Sequence, residues 1–145
     1  MIQDGAEIAR LSAEAMWADD KASQGLGMEV LDVGPGRARL AMRLTERMVN
    51  GHGFGHGGFI FTLADSALAF ACNAYGFRSV AQQCSITFLA PARLGMRLVA
   101  EATERHRADR RGIYDVSVRD EAGTVIAEFR GHSRTLPERL FEASP

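Results

Sequence analysis

Long apolar runs are missing from this chain. None reaches the roughly 20 residues needed to span a bilayer, so no membrane partner is expected. Cysteine is scarce: Cys72 and Cys84 lie too far apart for a CxxC motif, and both sit among apolar neighbours. They read as reduced core thiols, which excludes a disulfide framework and points to a cytoplasmic protein. The first residues, Met1 to Glu7, are acidic and lack a signal-peptide pattern, which supports the same expectation. An excess of charge is also missing. The net charge of −1 argues against general nucleic-acid binding. Lysine is nearly absent, since Lys21 is the one exception among 17 basic residues. Internal repeats and low-complexity segments are absent too.

What is present suits a single folded domain over residues 1–145. The chain is 46% hydrophobic, which is ample for a core, and 24% charged. Apolar residues over 5–19 lack strand alternation and predict an N-terminal helix. Ser23 to Gly27 reads as a turn. Met28–Val33 and Arg37–Leu44 read as two strands joined by the hairpin signal Gly34-Pro35-Gly36. The second alternates cleanly, with Arg37, Arg39, Ala41 and Arg43 on one face. Thr45 to Gly55 reads as a loop. Helical patterning follows over about 57–75, with Gly76 as its stop. Four more strand-like runs come next: Ser79–Leu89, Arg97–Arg105, Gly112–Arg119 and Thr124–Ser133. The polar tail 136–145 is expected to fray. One long apolar helix among six strands implies an α+β fold, with a curved antiparallel sheet wrapped around that helix.

The segment from Asn50 to Asp65 carries the most chemistry. It sets an amide, a glycine-rich turn and a helix start ahead of one carboxylate, Asp65. That carboxylate is flanked by Leu63, Ala64, Ala67 and Leu68, where a lone acid is costly unless it has a partner or a task. Glycines before a helix leave backbone N–H groups free to meet a ligand oxygen. His52 and His56 have the spacing His-x3-His, but the intervening Gly53 and Gly55 disfavour a helix there and no third ligand is evident, so no metal is expected. The cluster Arg105 to Arg111 reads either as a solvated loop or as a phosphate-contacting one.

The element order and these motifs resemble the hotdog-fold thioesterases, particularly the phenylacetate-pathway acyl-CoA thioesterase family. The resemblance rests on Met48-Val49-Asn50-Gly51-His52, His56-Gly57-Gly58, Leu63-Ala64-Asp65-Ser66-Ala67, Ala71-Cys72-Asn73 and Ile86-Thr87-Phe88-Leu89-Ala90-Pro91, and spans about residues 25–135. It implies hydrolysis of an acyl-CoA thioester, with an aromatic acyl group such as phenylacetyl favoured. Asp65 would act as general base or nucleophile. The Gly57 N–H would polarise the carbonyl, supported by Asn50, and His56 would position the thioester. Coenzyme A is then part of the substrate, and no separate cofactor is implied. Gly58, Thr62, Gln82, Phe59 and Leu68 are candidates for substrate contact, with Phe70 as a further lining residue. Arg110, Arg111, Arg130, His132 and Arg134 are candidates for the CoA phosphates. The family often carries a serine or threonine early in the strand after the helix. Ala81 or Gln82 stands there instead, with Gln82 or Gln83 as a substitute. The rival readings are a hotdog hydratase or dehydratase and a non-catalytic acyl-CoA-binding protein.

Helix geometry adds an expectation about assembly. Gly57 and Asp65 are eight residues apart, or about 12 Å along an α-helix, too far for both to reach one thioester carbon. Each site then needs two copies, one giving Gly57, Asn50 and His56 and the other giving Asp65. A homodimer with shared sites follows, and in this clade two dimers often pair into a tetramer.

Overall fold

This computed structural model describes residues 4–142. Helix α1 (Gly5–Asp19) starts on Asp4, whose side chain accepts the Glu7 N–H. A short α2 (Lys21–Gly25) stands where a turn was expected, capped by Asp20. Strands β1 (Glu29–Gly34) and β2 (Arg37–Arg43) form the predicted hairpin. After a 3-10 turn over Glu46–Met48 comes the long helix α3 (Gly57–Cys72). Four strands complete the chain: β3 (Phe77–Phe88), β4 (Arg97–Ala108), β5 (Arg111–Arg119) and β6 (Val125–Arg139). No helix among the described residues is long and apolar enough to cross a membrane.

The six strands form one antiparallel sheet in the order β1-β2-β4-β5-β6-β3. Helix α3 lies against this sheet, which is the hotdog arrangement. Its stripe Leu63, Ala64, Ala67, Leu68 and Ala71 is fully buried against Leu40, Leu98, Ala100, Val116 and Ala127. Small residues at 64, 67 and 71 let the helix axis approach closely. Leu68 occupies a notch at Gly131, where an added Cβ would stand 2.5 Å from Leu68 Cδ2. On the far side α1 partly covers the helix: Trp17 packs against Phe70 with ring centroids 6.4 Å apart. The Oγ atoms of Ser23 and Ser66 share a hydrogen bond of 2.8 Å.

Three boundaries differ from expectation. The helix ends at Cys72 rather than near residue 75, because Asn73 clips its last turn to β3. The Asn73 amide donates to Ala69 O and Ser79 O, and its carbonyl accepts the Ser79 N–H at 2.7 Å. The basic cluster is not a loop. It is the end of β4, a two-residue turn at Asp109 and Arg110 with φ of 51° and 68°, and the start of β5. The tail does not fray at residue 136. Strand β6 continues to Arg139, with Arg139 paired to Phe77. Polarity misled here, because β3 runs 12 residues and offers the tail a ladder of backbone partners. Strand β5 stops pairing at Arg134, so Pro137 lies beside β3 alone and its missing N–H is tolerated. Residues 143–145 of the expected frayed tail lie outside the described residues.

Candidate active site

The turn before α3 is built by Asn50 and His56. Asn50 Oδ1 accepts the N–H groups of His52 and Phe54 at 2.9 and 3.2 Å, which folds the glycine-rich loop back on itself. Its amide nitrogen makes no hydrogen bond among the described residues, so only donor capacity remains. His56 is the N-cap of α3: its Nδ1 accepts the Gly58 N–H at 3.0 Å, which places the ring proton on Nε2 in the neutral form. The His56 N–H is itself held by Met48 O at 2.7 Å. Gly58 is therefore spent on the cap, whereas the Gly57 N–H has no partner among the described residues. At the first helical position it points outward along the positive end of the helix dipole.

Asp65 lies two turns further on, half-buried, with no hydrogen bond or ion pair among the described residues. Burial alone pushes its carboxyl above the ordinary value of 3.8. The Asp65 charge is felt by Cys84 on β3, whose thiol is raised by burial first and by Asp65 second. Gly57 and Asp65 remain about 12 Å apart along α3.

The other candidates separate into three groups. Thr62 turns its hydroxyl back to Gly58 O at 2.8 Å, and Phe59 packs edge-on to the His56 ring. Leu68 and Phe70 are core residues, 1% and 2% exposed, and line no cavity described here. Gln82, Arg111 and His132 come together in a polar hollow of about 840 Å³ at the β4–β5 turn, joined by Gln83, His106 and Asp109. Arg134 is paired across from Arg111, and Arg110 sits in the turn itself. Arg130 does not join them. Its Nε and Nη2 form a two-pronged contact with Asp115 at 2.6 and 2.8 Å. That contact first, then Arg105, holds the Asp115 carboxyl down at about 2. Strand register explains the split: Arg130 stands directly opposite Asp115, two rows along from the pair of His132 and Ile113.

A cleft beside Gly57 was not anticipated. It measures about 460 Å³ and is walled by Phe54, Ile60, Phe88, Leu89 and Pro91. The period of two along β3 was the signal that could have found it. Cys84, Ile86 and Phe88 share a face, and Cys84 and Ile86 pack on the core.

Comparison with known proteins gives the family to which the chain belongs. Residues 52–127 match the family model of the thioesterase superfamily. The chain is 38% identical over 125 residues to the acyl-coenzyme A thioesterase PaaI of Escherichia coli, covering 86% of this chain and 89% of that one. It superposes on the solved E. coli PaaI protein from the phenylacetic acid degradation operon with a TM-score of 0.92 at 36% identity, over 94% of this chain and 99% of that one. A Streptococcus mutans protein solved with acetyl-CoA bound gives a TM-score of 0.74 at 25% identity, over 77% and 90% of the two chains. With more than half its length inside the family match, the chain belongs to the thioesterase superfamily and is a hotdog-fold thioester hydrolase.

Proposed function

We propose that the protein hydrolyses an acyl-CoA, preferentially one with an aromatic acyl group such as phenylacetyl, to the free acid and CoA. The observation that carries this reading is the pairing, on one helix, of an unpartnered N–H at Gly57 with an unpartnered, half-buried carboxylate at Asp65. The Gly57 N–H donates to the thioester carbonyl oxygen and stabilises the oxyanion as it forms. Asp65 either takes a proton from the attacking water, or attacks the carbonyl carbon itself to form an acyl-aspartyl anhydride that water then hydrolyses to the free acid. In either route the C–S bond breaks and the CoA thiolate leaves, a good leaving group that needs little acid help. A carboxyl raised by burial is a better base than an exposed one. The free amide nitrogen of Asn50 donates to the carbonyl or to the water, and His56 fixes the turn that presents Gly57.

The two halves belong to different copies of the chain. Strand β3 is a sheet edge, bonded on one side to β6 alone, and it carries exposed Val80 and Phe88. A long edge of this kind invites a second strand, and pairing of β3 with its symmetry copy brings the inner face of each edge toward the partner's α3. Two such dimers associate into a tetramer. The polar hollow with Arg111 and His132, flanked by Arg110 and Arg134, supports binding of the CoA phosphates, while Gln82 at its rim reaches toward the pantetheine. Cys72 and Cys84 are free thiols, which supports a cytoplasmic location.

Thiol release from phenylacetyl-CoA, followed with a free-thiol reagent, tests the reading. Wild-type protein turns over. The Asp65→Ala variant keeps its oligomeric state and loses turnover. Wild-type rates in that variant would reject Asp65 as the reacting carboxylate.

A further inference from the structure

Phe88, the last residue of β3, aims the para edge of its ring at Gly57. A Cβ added to Gly57 would stand 2.8 Å from Phe88 Cζ and 3.3 Å from both Cε atoms. The same ring is a wall of the 460 Å³ cleft that holds the Gly57 backbone, together with Phe54, Ile60, Leu89 and Pro91. The ring is half exposed, at 50%, although it is large and apolar. An unpartnered N–H therefore opens beside an apolar hollow with aromatic walls, whereas Arg111 and His132 gather in a different hollow. A thioester has one apolar limb and one polar limb on either side of its carbonyl. With the carbonyl on Gly57, this arrangement leaves only one assignment for the two limbs.

We propose that the cleft beside Gly57 receives the acyl limb, and that Phe88 is the wall that sets its specificity toward compact aryl-bearing acyl groups. This rests on the reading of Gly57 as the carbonyl's donor. Size agrees with the assignment. An apolar cavity of about 150 Å³ suffices for a benzene ring, so 460 Å³ is ample for an aryl ring and a short linker. Ring edges also prefer tilted contact with a second ring, which Phe54 and Phe88 both offer.

The test compares full-length wild type with Phe88→Ala and Phe88→Trp. Two quantities are measured: kcat/KM for phenylacetyl-, hexanoyl- and decanoyl-CoA, and Kd for free CoA and for a non-hydrolysable ketone in which a methylene separates the CoA sulfur from an arylacyl group. The Phe88→Ala variant is expected to lose about tenfold or more in phenylacetyl over decanoyl preference. Its Kd for free CoA stays unchanged, and its Kd ratio of ketone to free CoA worsens. Phe88→Trp, which shrinks the cleft, disfavours decanoyl-CoA further. A parallel change across all three substrates, or weakened binding of free CoA, would overturn the assignment. Lack of turnover in wild type would sink the hydrolase reading instead. The ketone-to-CoA ratio then still decides the inference: a ratio that Phe88→Ala leaves unaltered overturns it, and a worsened ratio supports it.

Discussion

A Gly57→Pro chain and an Asp65→Asn chain, each inactive alone, are expected to restore activity when they share a dimer. Proline at residue 57 deletes the proposed oxyanion donor with little cost to the fold. Gly57 is the first helical residue, where proline is tolerated and its missing N–H breaks no helix bond. The preceding His56 has φ −66° and ψ 131°, the extended conformation that a residue before proline requires. The new side chain meets only the outer end of the Phe88 ring, which is half exposed and can turn aside. Loss of one oxyanion donor costs about 10²–10³ in rate, and loss of a general base about 10²–10⁴. Each parent variant therefore sits near or below a hundredth of wild type. In a mixed dimer with sites shared between copies, one site combines the intact Gly57 of one chain with the intact Asp65 of the other, and the second site collects both defects. Equal mixing makes about half of the dimers mixed, each with one working site of two, so the refolded mixture recovers about a quarter of wild-type activity. Mixed dimers isolated with two affinity tags recover about half. Sites built within one chain would leave every site with one defect. Isolated mixed dimers no more active than either parent would refute the shared site.

Two further outcomes follow. Because burial raises the Asp65 carboxyl, the folded protein holds its proton to higher pH than the unfolded chain does, so the carboxylate weighs against folding above the raised value and ceases to do so below 3.8. Asp65→Asn should therefore raise the melting temperature at pH 7 and lose that advantage as the pH falls, while wild-type kcat/KM falls off on the acid side at a pH above 3.8; a variant less stable at pH 7 would contradict the unpaired carboxylate. Leu68→Ala should cost about 2–5 kcal/mol in denaturant unfolding, toward the upper end because Gly131 opposite has no side chain to fill the hole, and should leave the acyl-chain preference unaltered; a shifted preference would return Leu68 to the substrate site.

The fold was largely legible because its signals are local. Alternation in β2 and the long apolar run before Gly76 each follow from a few consecutive residues, and so does the hairpin at Gly34–Gly36. Errors arose where a distant partner decided. Residues 136–139, part of a tail read as polar, are held in a strand by β3, some 60 positions earlier, and Asn73 ends α3 because it meets Ser79 across the turn. The candidate site divides along the same line. Asn50 and His56 each bind backbone N–H groups within four residues, so the motif exposed the turn that presents Gly57. Leu68 and Phe88 could not be sorted by type, because both are apolar. What distinguishes them is that one fills a notch in the sheet and the other stands at its open edge. The arginines were no more separable: Arg130 and Arg134 are alike in sequence, and only strand register commits the first to Asp115.

Two features of this chain are unfavourable to an isolated copy: a half-buried carboxylate without a partner among the described residues, and a 12-residue sheet edge with apolar side chains left in water. Local departures of this kind concentrate where a protein works. Here they are linked electrostatically, since the Cys84 thiol on that edge is raised by burial first and by the Asp65 charge second. Pairing along β3 would relieve the second while deepening the first. Covering the edge removes water from the inner face of β3, and so from Asp65, which moves its carboxyl further in the direction that burial already drives it. Assembly and activation of the base are then one event. A charged residue at Val80 that forces the edge open should accordingly abolish turnover together with the dimer, and a fully active monomer would refute the link.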